Sequence, residues 1–175
     1  MLTRLFLVTI HPERSHFDNE PNPINCNRPD MSVLALSVKA PWAWGIFELP
    51  DAWWKCCENR CWSTEYRGPV LIHVSKSCTQ TEHDQAVFDI YKATRELGRT
   101  ELIQVPPRKS TQVGGIVGAV DIVDCVTGYT SPWRNGSPYG FVLANRRKCK
   151  FTPCRGQERF FRPPAEVVDA LRIAV

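Results

Sequence analysis

The sequence contains no long hydrophobic run. No stretch of its 175 residues approaches the roughly 20 apolar residues of a transmembrane helix. The N-terminal segment Met1–Ile10 carries Arg4, has only a short apolar run and lacks a small-residue cleavage site, so it does not resemble a secretory signal. We therefore predict a cytoplasmic protein without a membrane segment.

Familiar catalytic motifs are also absent. There is no Ser-His-Asp pattern, no phosphate-binding loop, no dinucleotide fingerprint and no internal repeat. Two histidines, His11 and His16, fall in the N-terminal segment, His83 falls in the first turn of a predicted helix, and His73 falls within an apolar strand. We interpret His73 as a core histidine, and the sequence indicates no cofactor.

The cysteines do not have the spacing of a zinc site. Eight are scattered along the chain, and a chain of this length can bury a core without disulfides. Cys56 and Cys57 are adjacent rather than arranged as Cys-x2-Cys, and Cys149 and Cys154 do not form a second knuckle. We therefore predict reduced thiols and no metal.

The composition favours one globular domain built from short elements. The hydrophobic fraction is 43% with six tryptophans, and 14 prolines and 10 glycines favour turns over long helices. Residues 1–31 are predicted to form a disordered or extended tail, since His11 to Asp30 is polar and lacks periodicity. Residues 32–175 are predicted to form the domain, and Met31 is a possible alternative start.

Periodicity and turn residues predict strands that alternate with two or three helices. Thr79 and Glu82 form a capping box that predicts a helix ending near Gly98. Pro41 and the pair Pro163-Pro164 each predict a helix start. The predicted strands are Val33–Val38, Trp53–Arg60, Pro69–Val74, Gly115–Val126, Gly140–Ala144 and a short one at Phe160; the predicted helices are Trp42–Phe47, Thr79–Leu97 and one after Pro164. This pattern indicates an α+β fold with a small mixed β-barrel.

The segment from Arg134 to Arg162 is strongly basic and is interleaved with aromatic residues. Such a pattern suits a surface that neutralises phosphates and stacks bases, although it also fits a basic surface around an aromatic core. The candidate nucleic-acid-binding residues in it are Arg146, Arg147, Lys148, Lys150 and Arg155.

Lys55, Glu58 and Arg60 lie within six residues of one another, at the start of a buried strand and among tryptophans. A surface ion pair is the simplest interpretation of such a cluster. The aromatic surroundings favour a polar ligand pocket, in which a partly desolvated lysine can also act as a base or nucleophile.

These residues carry a resemblance to a known family. Lys55-x-x-Glu58-x-Arg60, the turn Arg67-Gly68-Pro69 and the strand Leu71-Ile72-His73-Val74-Ser75 resemble the ASCH domain, a relative of the PUA domain. The other matching motifs, in order, are Leu36-Ser37-Val38-Lys39-x-Pro41-Trp42-Ala43, Gly114-Gly115-Ile116-Val117-Gly118, Gly140-Phe141-Val142-Leu143-Ala144 and Pro153-Cys154-Arg155-Gly156-Gln157. The first of these is similar to the entry motif of the longer ASCH proteins.

The resemblance implies a PUA-like barrel that binds nucleic acid or a nucleotide, with RNA as the expected partner. The expected ligand-binding residues are Lys39, Trp42, Lys55, Glu58, Arg60, Trp62 and Ser75. Two alternatives remain: a small hydrolase that uses Lys55 and Glu58 on acylated nucleobases or RNA, and a protein-interaction module like those of transcription coactivators. Glu58 occupies the position at which ASCH amidohydrolases have threonine, which favours binding over catalysis.

Overall fold

The computed structural model describes residues 33–128 and 130–172. The predicted N-terminal tail lies outside the described residues. The elements in chain order are β1 (Leu34–Lys39), α1 (Ala40–Phe47), β2 (Cys57–Arg60), β3 (Gly68–Ser75), α2 (Gln80–Glu96), a 3-10 turn (Arg108–Ser110), β4 (Gly115–Val126), β5 (Tyr139–Pro153), β6 (Phe160–Phe161) and α3 (Ala165–Arg172).

The strands form one mixed sheet with the order β2-β5-β4-β3-β1-β6. Only β1 and β3 are parallel, with Ser37 opposite His73 and Lys39 opposite Ser75. The remaining pairs are antiparallel. Parallel neighbours bring their carboxyl ends to the same edge of the sheet, and here that edge leads directly into the first turns of α1 and α2.

The sheet curls strongly. Three strands separate β2 from β1 in the sheet, yet the Arg60 guanidinium on β2 donates a hydrogen bond of 2.7 Å to the Ser37 carbonyl on β1. Register irregularities in β4 and β5 supply the bends, as β-bulges do. The result is a half-barrel that wraps around its apolar residues.

Three apolar clusters fill this fold. The largest lies between the sheet and α1 and includes Leu36, Ile46 and Phe141. A second, with Leu71 and Phe161, packs beneath α3, and a third joins α2 to Trp133. The described residues thus form a mixed α and β fold with three helices and a curled six-stranded half-barrel, which is compatible with the predicted small α+β barrel.

Most predicted elements are present, but two strands differ from the prediction. β4 has the predicted bounds, and the Thr79–Glu82 capping box begins α2. Gly98 follows α2 with φ of 84°, a left-handed conformation that glycine adopts at little cost. The predicted strand Trp53–Arg60 begins only at Cys57. The strand predicted to end at Ala144 continues to Pro153. It does so because β4 pairs with it along its full length, and this pairing overrides the unfavourable effect of the charged residues on strand formation.

Across residues 33–128 and 130–172, no helix has both the length and the apolar character needed to span a membrane.

Candidate functional site

Lys55 enters the interior immediately before β2. Its backbone N–H donates to the Gly45 carbonyl of α1 at 2.9 Å, which fixes the segment against that helix. Its side chain is almost fully enclosed, with the residue only 1% exposed. The ammonium donates to the Cys57 carbonyl and to Glu58 Oε2, the latter at 2.8 Å, and lies 5.4 Å from the centre of the Trp42 ring.

Glu58 lies between two cations. Its second carboxylate oxygen is 3.1 Å from Arg60 Nη2. Burial by itself would raise the pKa of Glu58, but the charges of Lys55 and Arg60 outweigh burial and hold this pKa below its usual range. The carboxylate is therefore ionised at neutral pH, and the ion pair with Lys55 is a charged one.

The structure brings Lys55, Glu58 and Arg60 together, with Trp42 against them. Trp62 lies nearby at the end of β2, in edge-to-face contact with Phe141 at a ring-centre distance of 5.0 Å. Ligand binding by these residues stays a prediction. The two pockets described below are not lined by Lys55, and the ammonium is already occupied by acceptors of the chain itself.

Lys39 and Ser75 lie elsewhere, at the carboxyl ends of β1 and β3. An open groove of about 550 Å³ begins here, lined by Lys39, Ser77, Cys78, Thr79, Glu82 and Arg108. Ser75 lies beside it, with its hydroxyl 2.8 Å from that of Ser77. The groove therefore combines two cations, three small polar residues and the first turn of α2.

Glu82 is the only acid that lines this groove within residues 33–128 and 130–172. Its carboxylate accepts hydrogen bonds from Lys39 Nζ at 2.5 Å and from the Thr79 backbone N–H at 2.9 Å. These two interactions lower the pKa of Glu82 to about 2. Arg108 instead donates to the Cys78 carbonyl at 3.2 Å and retains its charge without a carboxylate partner among the residues described.

Further exposed cations lie next to groove residues in the chain. Lys76 and Lys109 are exposed and directly adjoin the groove residues Ser77 and Arg108 in the chain. The Lys76 side chain runs along Gly114, where an added Cβ would lie 2.2 Å from the Lys76 Cε. The Gly114 carbonyl in turn accepts from the Cys154 backbone N–H at 3.0 Å, and exposed Arg155 follows Cys154 in the chain. We refer to Lys39, Lys76, Arg108, Lys109 and Arg155 as the cationic face.

The predicted nucleic-acid-binding residues divide into two groups. Arg146 donates to the carbonyls of Ile46 and Leu49 and to Asp51, so it holds the end of α1. Arg147 pairs with Asp121 at 2.7 Å, and Lys148 pairs with Glu48 at 2.5 Å. Lys150 and Arg155 are exposed and have no ion pair within the described ranges.

One buried polar network was not predicted from the sequence. His73 Nε2 donates to the Cys154 carbonyl at 3.1 Å, and its Nδ1 lies 3.1 Å from the Ser37 hydroxyl. Ser37 also donates to the Gln157 carbonyl at 2.8 Å. A Cβ on Gly156 would lie 2.2 Å from the His73 ring, so glycine alone permits this approach. Burial lowers the pKa of His73, and the neutral ring anchors the loop that carries Arg155.

The only signal for this network in the sequence was a histidine inside an apolar strand. Its partners are 36 and 81 residues away, so spacing could not identify them.

No group of three or more His, Cys, Asp or Glu side chains within residues 33–128 and 130–172 is arranged to hold a metal ion. The seven cysteines in these ranges are free thiols.

No known protein family model matches the chain, and no curated protein matches it.

Proposed function

We propose that this protein binds the phosphate backbone of single-stranded RNA through the cationic face. The observation that carries this proposal is the groove at the carboxyl ends of β1 and β3, which Lys39 and Arg108 line and next to which Lys76 and Lys109 adjoin lining residues in the chain. Groups of Lys and Arg around a groove are the usual means of tracking a nucleic-acid backbone.

The charge balance supports an anionic ligand. Against the five cations of the cationic face, Glu82 is the single acid lining the groove, and it pairs with Lys39. The first turn of α2 adds the positive end of a helix dipole to the same place. Lys76, Lys109 and Arg155 have no carboxylate partner in the described part of the chain, so their charges are available to phosphates.

RNA is chosen over DNA because of the resemblance to ASCH and PUA-like domains. Membership of that family, and the PUA-like form of the barrel, are part of the same proposal. The cytoplasmic location, which the cysteines favour on sequence grounds, is also part of it.

Binding is proposed in preference to hydrolysis because of the burial of Lys55. A general base or nucleophile has to reach the reacting atom, whereas the Lys55 ammonium is enclosed and donates to Glu58 and a backbone carbonyl. We assign Lys55, Glu58 and Arg60 the role of bracing β2 against the core and against β1.

A salt titration of RNA binding tests the proposal. The double variant K76Q/K109Q removes two charges of the cationic face that make no ion pair within the described residues. We expect it to weaken binding of a single-stranded oligonucleotide and to reduce the slope of log affinity against log salt by about 0.7 for each phosphate that is no longer neutralised. The measurement is fluorescence anisotropy at several salt concentrations.

The matched control is K92Q/R95Q, which removes two charges near the other end of α2. It should leave affinity and salt slope close to those of the unmodified protein. If both double variants weakened RNA binding equally, the effect would come from the net charge of the protein and not from the cationic face. RNA binding without salt dependence would overturn the proposal.

A further inference from the structure

A second pocket lies between Trp54 and Trp133 and shares no residue with the groove. Its volume is about 240 Å³, and its lining residues are Asp51, Ala52, Trp54, Cys56, Leu97, Thr130, Ser131, Pro132 and Trp133. This is below the range of about 300–1,000 Å³ for sites that hold drug-sized ligands. The pocket therefore suits one small ring rather than an extended molecule.

The walls favour a flat, apolar-faced ligand. Trp54, Leu97 and Pro132 line the pocket together with Trp133, which is only 4% exposed, and aromatic rings pair favourably with other rings by stacking or edge contact. Leu97 is among the few large apolar side chains in the described ranges that remain exposed, at 37%.

The charges around the pocket disfavour an ionic ligand. Among the described residues, Asp51 is the only charged one in the lining, and its carboxylate already pairs with Arg146. The Arg146 guanidinium lies 5.2 Å from the centre of the Trp54 ring and is paired with Asp51 at the edge of the pocket. Arg146 already makes the cation–π contact with this ring, and its charge repels a second cation. The pocket therefore differs from an aromatic cage that binds quaternary amines.

Polar groups are available for the edge of such a ring. Ser131 Oγ accepts the Trp133 backbone N–H at 3.2 Å, which leaves the hydroxyl proton of Ser131 to donate. Thr130 and Cys56 add a hydroxyl and a thiol. The indole N–H of Trp133 is buried without a partner in the part of the chain that the structure describes, a state that costs about 1–3 kcal/mol until an acceptor is supplied.

We propose that the pocket between Trp54 and Trp133 binds one neutral planar heteroaromatic ring of the nucleobase class. Stacking on the Trp54 indole supplies the affinity, and the Ser131 and Thr130 hydroxyls contact donors and acceptors on the edge of the ring. Because a base alone fills the pocket, binding does not depend on phosphate contacts.

The test uses nucleosides, which lack phosphate, with the full-length protein. Adenosine and cytidine are titrated while the indole N–H signals of Trp54 and Trp133 are followed by NMR, and tetramethylammonium serves as the cationic probe. We expect the two indole signals to shift with at least one nucleoside, with little dependence on salt, and no shift with tetramethylammonium.

The variant A52L fills the pocket from its exposed rim, and A170L adds the same side chain at an exposed position of α3 that does not line the pocket. Nucleoside affinity should fall at least tenfold in A52L and stay unchanged in A170L. Absence of nucleoside shifts in the unmodified protein, retention of binding in A52L, or a response to tetramethylammonium alone would overturn the inference. These outcomes are independent of the RNA proposal. That proposal fails if K76Q/K109Q has no salt-dependent effect on RNA binding.

Discussion

Lys55 is the largest of the fully buried side chains in the described ranges. Removing an ammonium from water costs several kcal/mol, which the protein offsets with the Glu58 carboxylate, the Cys57 carbonyl and the Trp42 ring. Glu58 is in turn stabilised by Arg60. The three charges therefore depend on one another, and the loss of one leaves another buried without its partner.

The variant K55M tests this dependence. It leaves Glu58 buried with Arg60 as its single ionic partner, so we expect the free energy of unfolding to fall by about 3–5 kcal/mol. The measurement is denaturant unfolding. The double variant K55M/E58Q should recover part of the loss, because no unpaired carboxylate remains, and K92M on the surface of α2 should change little. A K55M protein as stable as the parent would show that the ion pair contributes nothing to the fold.

At the scale of elements, α1 is held at its carboxyl end by a residue of β5. Arg146 donates to the carbonyls of Ile46 and Leu49, which lie at and just beyond the last turn of the helix, and to Asp51. Cations at helix carboxyl ends are favourable because the helix dipole is negative there. Arg146 thus connects the end of α1 to β5. Its basic sequence context had instead predicted a contact with nucleic acid.

Replacement of Arg146 by glutamine should therefore reduce stability. We expect R146Q to lower the free energy of unfolding by about 1.5–3 kcal/mol, the usual contribution of hydrogen bonds to a charged group. The matched change K150Q, at an exposed position of the same strand, should stay within about 0.5 kcal/mol of the parent. Thermal unfolding of both variants provides the comparison, and equal stability of R146Q and K150Q would contradict the assigned role.

The Glu82 carboxylate at the start of α2 makes the stability of the folded protein depend on pH. The Glu82 pKa of about 2 lies below its ordinary value of 4.5, so the folded state favours the ionised form. The stabilisation is complete above pH 4.5 and is lost as the pH falls towards 2. We expect E82Q, which keeps a capping side chain, to show a shallower loss of melting temperature between these pH values than the parent. Identical slopes in the two proteins would contradict this assignment.

The elements that could be predicted well from the sequence have local signals. The capping box of α2 acts over four residues, and the glycine-rich β4 carries its own apolar pattern. The length of β5 was missed because four consecutive polar residues, 145–148, follow Ala144. Their strand conformation depends on pairing with β4, which is a tertiary effect.

At the scale of the whole molecule, the candidate sites combine distant parts of the chain. The cluster at Lys55 could be anticipated because its three residues are close in sequence. The groove joins Lys39, the turn before α2 and Arg108. The parallel pairing of β1 with β3 brings Lys39 beside that turn, and Arg108 reaches it through its hydrogen bond to the Cys78 carbonyl. The pocket at Trp54 likewise needs Leu97 and Trp133, so neither site could be derived from spacing along the chain.

The position of β1 has a consequence for the order in which the protein folds during synthesis. β1 lies between β3 and β6, and the residues of β6 and α3 emerge from the ribosome after the rest of the described domain. Until then one edge of β1 has no strand beside it, and the cluster around Ala35 and Leu71 lacks Phe161, Val167 and Leu171. Pairings between distant residues also form slowly. A chain that stops before Phe160 therefore presents an open strand and an uncovered apolar surface, features that recruit chaperones or promote aggregation.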